Sequence, residues 1–511
     1  MDEYAIEFKE ITKRFGTLVA NDHVSWRIKK GEVHALLGEN GAGKSTITSI
    51  LFGLLQADSG EIFVDGKAVS IHNPNDANAL GIGMVHQHFK LVPSYTVTEN
   101  IILGLEPKTA WGHIDYQRAR RKIEEISHQF GLAVDPDARI ANINVGMQQR
   151  VEILKTLYRD ARMIVLDEPT AVLTPQEIDD LMQIILRLKE QGRTIIFISH
   201  KLKEIKTCAD QVTVLRRGKV VGSAKVSDCT EAQLAEMMVG HAVEFVTQKD
   251  DPKLGNIVLQ LENISVKSMR GSIAVQDLSL SVHAGEVLGI AGVDGNGQSE
   301  LALALSGVVR PVKGKILLDG KDITALGVRK RVELGIGLTP EDRETQAVVS
   351  SFNLAENYVL KTFYRDPYST KWGFLNKKKI RDDAQIQLEN FDVRSANGWR
   401  SLIGELSGGN RQKVVVAREM TIASKLLIVC QPTRGLDVGS IEYIHRQIIA
   451  QRNAGKAVIL ISFELDEILN LCDRIATISH GSIVGIIDAK HATRQQVGQM
   501  MTASRKESVI G

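Results

Sequence analysis

Continuous apolar stretches alternate with amphipathic stretches along the first half of the chain. Three short apolar runs, the second and third rich in β-branched residues, are typical of strands buried in a parallel sheet. They are 32–37 (EVHALL), 162–168 (RMIVLDE) and 194–200 (TIIFISH). Residues 148–160 instead have helical periodicity, with Val151, Leu154, Leu157 and Tyr158 on one face. Strands that alternate with helices in this way predict an α/β fold with a mainly parallel sheet.

The pattern occurs twice. Residues 28–46 match 282–300, and residues 81–87 match 335–341, in both cases 254 positions later. Later matches lie 263 positions apart, so the second copy carries nine additional residues; they are 145–150 with 408–413, 164–174 with 427–437, and 197–205 with 460–468. Ordered matches at two spacings indicate a tandem duplication.

The duplication predicts two domains, 1–246 and 257–511, joined by the polar segment 247–256 (TQKDDPKLGN). A chain of 511 residues is also too long for one hydrophobic core. The tail 502–511 is expected to fray.

Composition narrows the possible functions. The chain has 63 basic and 61 acidic residues, a net charge of +2, which gives no electrostatic case for nucleic-acid binding. The four cysteines form no CxxC pair and are expected to be reduced thiols in the cytosol. No signal sequence and no apolar run long enough for a membrane helix is visible. We therefore expect a protein that is soluble by itself, which leaves docking on a membrane partner open.

The segment 38–46 (GENGAGKST) matches the phosphate-binding loop pattern GxxxxGK[ST]. Its glycines allow backbone N–H groups to approach phosphate oxygens, and the helix that follows favours negative charge at its N-terminus. Lys44 is expected to reach the β- and γ-phosphates, and Ser45 to bind Mg²⁺. The predicted ATP-binding residues of this loop are Gly38, Glu39, Asn40, Gly41, Ala42, Gly43, Lys44, Ser45 and Thr46.

Polar residues at the ends of the apolar runs complete a candidate catalytic set. Asp167 and Glu168 end a buried strand, where two carboxylates are costly without a nearby cation. We predict that Asp167 binds Mg²⁺ and that Glu168 activates the attacking water. Gln87 is predicted to contact both metal and water, His200 to hold the γ-phosphate, and Phe15 to stack on adenine. The alternatives are surface carboxylates, a plain loop glutamine, a structural histidine and a core aromatic residue.

These motifs together resemble the ATP-binding cassette (ABC) ATPase family over almost the whole chain. They are GENGAGKST, Gln87, VGMQQ, IVLDEP, FISH and, in the second copy, LSGGNRQK. The tandem form with a short linker resembles the double-ATPase subunits of bacterial importers for simple sugars and nucleosides. The nucleoside branch, of purine nucleoside or guanosine type, looks closest in VGMQQRVEILKTLYR, LDEPTAVLTPQE, GVDGNGQSELALALSG and QPTRGLDVGSIEYIH.

The resemblance implies the architecture and the partners. Each copy is expected to form a P-loop ABC ATPase domain: a mainly parallel sheet, an antiparallel β subdomain and a helical subdomain. ATP and Mg²⁺ are the implied cofactors. Two membrane permease subunits and an extracellular solute-binding (lipo)protein are the implied partners, which would place this chain peripherally on the cytoplasmic face of the cell membrane. The segments 88–104 and 342–360 resemble the family's contact region for the membrane subunits, with Phe89 and Leu91 as candidate contacts or core residues.

The second copy lacks most of the groups that handle ATP in the first. Gly292, Gly295, Gly297 and Ser299 remain, but Gln298 replaces Lys44 and Glu300 replaces Thr46. The other replacements are Glu341 for Gln87, Cys430 for Asp167, Gln431 for Glu168 and Phe463 for His200. Because Mg²⁺ prefers oxygen ligands and an amide cannot accept a proton from water, this copy is predicted to be catalytically negligible.

The family signature shows the opposite distribution. The second copy has LSGGN, with Ser407, Gly408 and Gly409, and it keeps Asp437. The first copy has Asn144 and Thr174 at the corresponding serine and aspartate positions. ABC domains pair head to tail, which the resemblance extends to the two copies of this chain. One composite ATP site would then join the complete first P-loop to the complete signature, and the other would join the altered parts.

Two alternatives concern the protein's role. A simple-sugar importer of ribose or galactose type would use the same subunit architecture. A soluble tandem-ABC factor that binds ribosomes resembles proteins with a long charged linker and intact motifs in both halves, and this chain has neither. A non-catalytic scaffold conflicts with the complete first site.

Overall fold

The computed structural model describes residues 3–16, 18–86, 89–170, 173, 175–242, 247, 249–268 and 271–502. The chain divides into two compact units, Met1–Val243 and Glu244–Gly511. Part of the polar segment predicted as a linker is held against the second unit: the Thr247 amide donates to Asn470 Oδ1 at 2.9 Å, and Arg452 Nη2 donates to the Asp250 carbonyl at 2.8 Å.

The first unit contains two sheets and a helical region. Its strands are β1 (Tyr4–Phe15), β2 (Leu18–Lys29), β3 (Val33–Leu37), β4 (Ser59–Val64), β5 (Lys67–Val69), β6 (Ile82–Val85), β7 (Met163–Asp167), β8 (Thr194–Ile198), β9 (Gln211–Arg216) and β10 (Lys219–Lys225). Its helices are α1 (Lys44–Leu51), α2 (Pro74–Ala79), α3 (Val97–Ile102), α4 (Tyr116–Phe130), α5 (Val145–Tyr158), α6 (Pro175–Glu190), α7 (Leu202–Cys208) and α8 (Glu231–Val239).

The order of the strands explains where a site can form. The larger sheet runs β10-β9-β3-β8-β7-β6, and its strands are parallel except for the edge strand β10. The smaller sheet, β2-β1-β4-β5, is antiparallel. Buried residues of both sheets share one core with α1, including Phe8, Ile47 and Val165. The carboxyl ends of β3, β7 and β8 therefore meet at one edge, as expected for ligand sites in parallel sheets.

The second unit repeats this topology. Its larger sheet is β16-β17-β18-β13-β19-β20 and its smaller sheet is β12-β11-β14-β15. The strands are β11 (Ile257–Lys267), β12 (Ile273–His283), β13 (Val287–Ala291), β14 (Lys313–Leu318), β15 (Lys321–Asp322), β16 (Ile336–Thr339), β17 (Leu426–Cys430), β18 (Ala457–Ser462), β19 (Arg474–Ser479) and β20 (Ser482–Asp488). The helices are α9 (Gln298–Ser306), α10 (Val328–Glu333), α11 (Arg343–Gln346), α12 (Leu354–Val359), α13 (Lys377–Asn390), α14 (Gly408–Ile422), α15 (Val438–Asn453), α16 (Leu465–Leu471) and α17 (Arg494–Thr502).

The elements expected from hydrophobic patterning are confirmed. The three apolar runs form β3, β7 and β8, and every residue of these strands is buried. The amphipathic segment forms α5, whose predicted apolar face of Val151, Leu154, Leu157 and Tyr158 is at most 7% exposed. The parallel sheet, the antiparallel sheet and the helical region correspond to the predicted α/β class. Within the described residues, we find no helix long and apolar enough to cross a membrane.

Candidate nucleotide-binding sites

The first phosphate-binding loop connects β3 to α1. Gly41 and Gly43 have positive φ angles of 83° and 102°, which residues with a side chain adopt only with strain. A Cβ atom at Gly43 would also lie 2.3 Å from the Ala20 carbonyl oxygen. The loop can therefore wind tightly into α1, which begins at Lys44 without a side-chain cap among the described residues. Its first backbone N–H groups remain available to an anion.

Lys44 places its charge inside the loop. The side chain is 5% exposed, and Nζ donates to the carbonyl oxygens of Gly38 at 2.7 Å and Glu39 at 2.9 Å. Ser45 and Thr46 follow in the first turn of α1. A buried ammonium beside a ring of backbone amides is suited to phosphate oxygens, as the P-loop pattern predicts.

Asp167 ends β7 at the same edge of the sheet. Burial and the neighbouring Glu168 raise the pKa of this carboxyl to about 6, against the opposing effects of Lys44 and a hydrogen bond with Ser45. Its Oδ1 atom is buried and has no hydrogen-bond partner among the residues that the structure describes. A divalent cation would satisfy this oxygen, and the nearby Ser45 hydroxyl is a second oxygen ligand of the kind Mg²⁺ prefers. The residues present therefore fit Mg²⁺.

Glu168 and His200 form a pair across the ends of β7 and β8. His200 Nδ1 and Glu168 Oε1 lie 3.2 Å apart, and the Glu168 amide donates to the Ile198 carbonyl at 3.0 Å. Glu168 has a φ of 45°, so the backbone turns out of the extended conformation directly after β7. Burial acts to raise the pKa of Glu168, but the hydrogen bond and charge of His200, together with Lys44 and Lys201, lower it overall. Glu168 is thus ionised at neutral pH and able to accept a proton.

Sequence reasoning did not identify Glu204, which connects the segments carrying these residues. Glu204 is 6% exposed on α7, and its Oε2 accepts hydrogen bonds from Thr170 Oγ1 at 2.9 Å and Ser199 Oγ at 2.8 Å. Thr170 follows Glu168 and Ser199 precedes His200. The available signal was the glutamate at the same register in both copies, Glu204 and Glu467.

Asn21 is a second residue that the sequence did not single out. It is fully buried on β2, and its Nδ2 donates to the carbonyl oxygen of Gly43 at 3.1 Å. The antiparallel sheet therefore holds the end of the phosphate-binding loop. Phe15 lies at the end of β1 and is 46% exposed, which excludes the core-aromatic alternative.

The structure describes some of the remaining predicted residues of the first unit and not others. Gln87 and Thr174 lie outside the described residues. Asn144 is the N-cap of α5, where its side chain accepts from the Met147 amide at 2.8 Å. Phe89 and Leu91 are both partly buried.

The second phosphate-binding loop, between β13 and α9, keeps the backbone of the first. Gly295 and Gly297 have φ angles of 85° and 96°, and a Cβ atom at Gly297 would lie 2.3 Å from the Ala274 carbonyl oxygen. Gln298 is 2% exposed, and its Nε2 donates to the Val293 carbonyl at 3.2 Å. A Cβ atom at Gly292 would lie 2.4 Å from this same nitrogen. The glutamine folds back on the loop as Lys44 does, but without a charge.

The metal-ligand positions of the second unit are occupied by a different network. Ser299 Oγ donates to Glu341 Oε2 at 2.9 Å, and Glu341 Oε1 accepts from Arg434 Nη1 at 3.0 Å. Cys430 takes the place of Asp167, and burial together with the charge of Glu341 raises the pKa of its thiol. A protonated thiol is a poor ligand for Mg²⁺. Gln431 retains the positive φ, 47°, but it brings an amide instead of a carboxylate.

The signature segment of the second unit forms the N-terminus of α14. Ser407 is the N-cap, and its Oγ atom accepts from the Asn410 amide at 3.5 Å. A Cβ atom at Gly409 would lie 2.8 Å from Ser440 Oγ, while Asp437 caps α15 by accepting from the Ser440 amide at 2.8 Å. Gly408 lies beside Arg343, whose Nη2 would be 2.9 Å from an added Cβ atom. The glycines therefore bring these two helix N-termini close together and leave backbone amides for an anion.

A P-loop with a buried lysine, a strand-end Asp–Glu pair and a histidine opposite defines a P-loop ATPase. A family model described as ABC transporter matches residues 21–171 and 275–434. The chain belongs to the ABC transporter family, and its two units are tandem ATP-binding cassettes. The family and fold class predicted from the sequence are confirmed.

Curated relatives cover nearly the whole chain. The nucleoside import ATP-binding protein NupA of Lactococcus lactis subsp. cremoris is 52% identical, over 98% of each chain. The guanosine import ATP-binding protein NupO of Bacillus subtilis is 51% identical, over 99% of this chain and 98% of its own. The glucose import ATP-binding protein TsgD13 of Haloferax volcanii is 42% identical, over 97% and 95%. The predicted resemblance to nucleoside- and sugar-importer subunits is confirmed.

A solved structure shares the tandem fold. The archaeal ribosome recycling factor in complex with a ribosomal stalk protein matches 94% of this chain and 90% of its own, with a TM-score of 0.59 and 19% identity. This likeness shows the fold alone.

Proposed function

We propose that this chain is the ATP-hydrolysing subunit of a nucleoside importer. The single observation that carries the ATPase assignment is the first site, where Lys44, Asp167, Glu168 and His200 occupy one edge of one sheet. The nucleoside assignment is supported by two relatives named for nucleoside and guanosine import, at 52% and 51% identity. A relative named for glucose import, at 42%, supports sugar import less strongly.

In the mechanism we propose, the first unit positions ATP and water. The amides of the loop and the Lys44 ammonium bind the β- and γ-phosphates and offset their charge, which is the main requirement of phosphoryl transfer. Ser45, Gln87 and Asp167 would hold Mg²⁺, which when bound would supply further positive charge at the phosphates. Glu168 orients the attacking water and accepts its proton, and His200 orients Glu168 and binds the γ-phosphate. Phe15 stacks on the adenine.

The signature residues complete this site in our proposal. Ser407, Gly408, Gly409 and Asp437 would contact the γ-phosphate side of an ATP bound to the first P-loop, through the head-to-tail pairing of the family. The second P-loop, paired with Asn144 and Thr174, would be silent in hydrolysis. Its Gln298, Cys430, Gln431 and Phe463 replace the cation, the metal ligand, the base and the histidine.

The partners follow from the importer role. We propose that two membrane permease subunits hold this chain at the cytoplasmic face of the membrane, and that an extracellular solute-binding protein delivers the nucleoside. Residues 88–104 and 342–360 are the proposed contact region. ATP hydrolysis would then be coupled to transport without contact between the solute and this chain.

Uptake measurements with a catalytic variant test the proposal. Cells lacking this chain should lose uptake of radiolabelled guanosine and regain it with the wild-type chain. Glu168→Gln should fail to restore uptake and should lower ATP hydrolysis by about 10³-fold, because the amide cannot accept a proton. Glu125→Gln, the same change on the exposed face of α4, should behave as wild type. Loss of glucose or ribose uptake with guanosine uptake unchanged would refute the nucleoside assignment.

A further inference from the structure

The nucleotide site of the second unit holds a buried hydrogen-bond donor where the first has a carboxylate. Gln431 is 5% exposed, and its Oε1 accepts from the Phe463 amide at 3.3 Å, which fixes the orientation of the side-chain amide. Nε2 is buried and has no hydrogen-bond partner within the described part of the chain. Leaving such a buried donor unsatisfied is energetically unfavourable. An anionic oxygen would satisfy it.

The surroundings of Nε2 are suited to a phosphate group. Gln431 lines one cavity together with Gln298 and Ser299, the first residues of α9. Gly297, the N-cap of α9, provides no side-chain cap, and Gly295 and Gly297 keep the positive φ angles of the first loop. The first turn of a nine-residue helix, with its positive end, and a buried amide donor thus face one cavity.

The same space offers little to a divalent metal. Cys430, which stands where Asp167 stands in the first unit, lines the cavity with a buried sulfur. The Ser299 hydroxyl is already bonded to Glu341, and the other Glu341 oxygen is paired with the guanidinium of Arg434. Mg²⁺ would have to displace this cation to gain a carboxylate ligand.

We propose that the second P-loop binds the phosphates of ATP without a divalent metal, with Gln431 Nε2 as a donor to a phosphate oxygen. In this arrangement the Glu341–Arg434 ion pair takes the place of the metal beside Ser299. The proposal rests on the proposed function only in treating this chain as an ATP-binding subunit, and it adds that the two sites differ in their need for Mg²⁺.

The test uses the full-length Lys44→Ala variant, which weakens the first site. Binding of radiolabelled ATP is measured by equilibrium dialysis in Mg²⁺ and in EDTA. One ATP per chain should bind with Kd values within about twofold of each other in the two buffers, because no metal bond is lost. The wild-type chain should bind two ATP in Mg²⁺ and one in EDTA.

Substitutions in the second unit should change this behaviour in defined ways. In the Lys44→Ala background, Gln431→Ala should weaken ATP binding about tenfold in both buffers, because a donor to phosphate is lost. In the same Lys44→Ala background, the combined changes Cys430→Asp and Gln431→Glu should instead make ATP binding metal-dependent, at least about tenfold weaker in EDTA than in Mg²⁺. Gln451→Glu in the same Lys44→Ala background is the matched control. Gln451 lies on α15, where its side-chain oxygen accepts a hydrogen bond from Lys456.

Two results would overturn the proposal: tenfold weaker binding by Lys44→Ala in EDTA, or no ATP bound by that variant in either buffer. Absence of Mg²⁺-dependent hydrolysis by the wild-type chain would instead contradict the proposed function. Thermal unfolding of every variant establishes that it is folded, and Gln431→Ala alone decides the matter if Cys430→Asp prevents folding.

Discussion

At the scale of single residues, Lys44 and Gln298 show how a loop keeps its shape after losing its charge. Lys44 donates to the Gly38 and Glu39 carbonyls, and Gln298 donates to Val293, the counterpart of Glu39. A side-chain amide can replace an ammonium as a donor to the loop. It cannot supply the positive charge that offsets the γ-phosphate during phosphoryl transfer, so the second loop keeps its shape without the charge on which hydrolysis depends in our proposal.

Asp167 should destabilise the first unit at neutral pH. Its folded pKa of about 6 lies above the ordinary value of 3.8, so the buried charge costs stability above pH 6, and the cost disappears as the pH falls towards 4. In EDTA, Asp167→Asn should raise stability by about 3 kcal/mol at pH 8, and by much less at pH 4.5. Thermal unfolding at both pH values measures this difference. The exposed Asp179→Asn should show no such pH dependence, and an equal gain at both values for Asp167→Asn would contradict the burial argument.

Gly43 should tolerate no side chain. Gly43→Ala would combine a positive φ with a contact of 2.3 Å to the Ala20 carbonyl, so both melting temperature and ATP binding should fall sharply. Gly192 also has a positive φ, but nothing lies within 4 Å of an added Cβ atom. Gly192→Ala should therefore cost only about 1 kcal/mol, the backbone penalty alone. Equal losses of melting temperature in the two variants would show that the close contact is unimportant.

At the scale of elements, the carboxyl ends of parallel strands determine which side chains meet. β7 and β8 are neighbours, so Glu168 and His200 lie opposite each other although 32 positions separate them. Helix α7 follows β8, and its Glu204 accepts hydrogen bonds from Thr170, after β7, and from Ser199, after β8. In the second unit the corresponding Glu467 Oε1 instead lies 3.0 Å from His445 Nε2. The hydrogen bonds of this buried glutamate therefore also differ between the two units.

Glu204 should act by positioning Glu168 and His200. Glu204→Ala removes the acceptor shared by Thr170 and Ser199, so kcat for ATP hydrolysis should fall about tenfold while KM changes less than about twofold. Glu204→Gln keeps an acceptor oxygen and should recover most of the rate. Steady-state kinetics measure both constants, with Glu190→Ala on the exposed face of α6 as the control. A large rise in KM with unchanged kcat would assign Glu204 to ATP binding instead.

At the scale of the whole molecule, two units of the same topology differ in nearly every ATP-handling side chain. Both keep the positive φ after the strand end, 45° at Glu168 and 47° at Gln431, and both keep the glycine loop. The fold therefore does not require these differences in side chains between the two units. The predicted catalytic groups are complete in one unit and replaced together in the other, which supports the division of labour that we propose for the two units.

Restoring one catalytic group to the second unit should not restore activity. Gln431→Glu supplies a carboxylate, but Cys430 and Gln298 still offer neither a metal ligand nor a cation, so hydrolysis should stay within about twofold of wild type. Glu168→Gln should abolish it. Measuring phosphate release from both variants under one condition tests the asymmetry. A large gain in Gln431→Glu, or substantial turnover in Glu168→Gln, would refute it.

Many of the secondary-structure elements and the first phosphate-binding loop could be predicted from local sequence. Repeated apolar runs predicted β3, β7, β8 and α5, and the spacing of glycine, lysine and serine predicted the first loop. These features depend on neighbours close in the chain, because a strand buried on both faces is a continuous apolar run and an amphipathic helix repeats its apolar face about every 3.6 residues. The residue types at positions 430, 431 and 298 also predict which unit lacks the catalytic groups.

The contacts between distant segments were decided only in three dimensions. No local pattern shows that Asn21 holds Gly43, that Glu204 joins the segments after β7 and β8, or that Glu341 pairs with Arg434. These side chains meet because sheet order places separate strand ends at one edge, and a lone asparagine or glutamate carries no signal of its partner. The sequence by itself determined the family and the duplication and predicted the catalytic residues, whereas the tertiary structure decided how each of these groups is charged, oriented and supported.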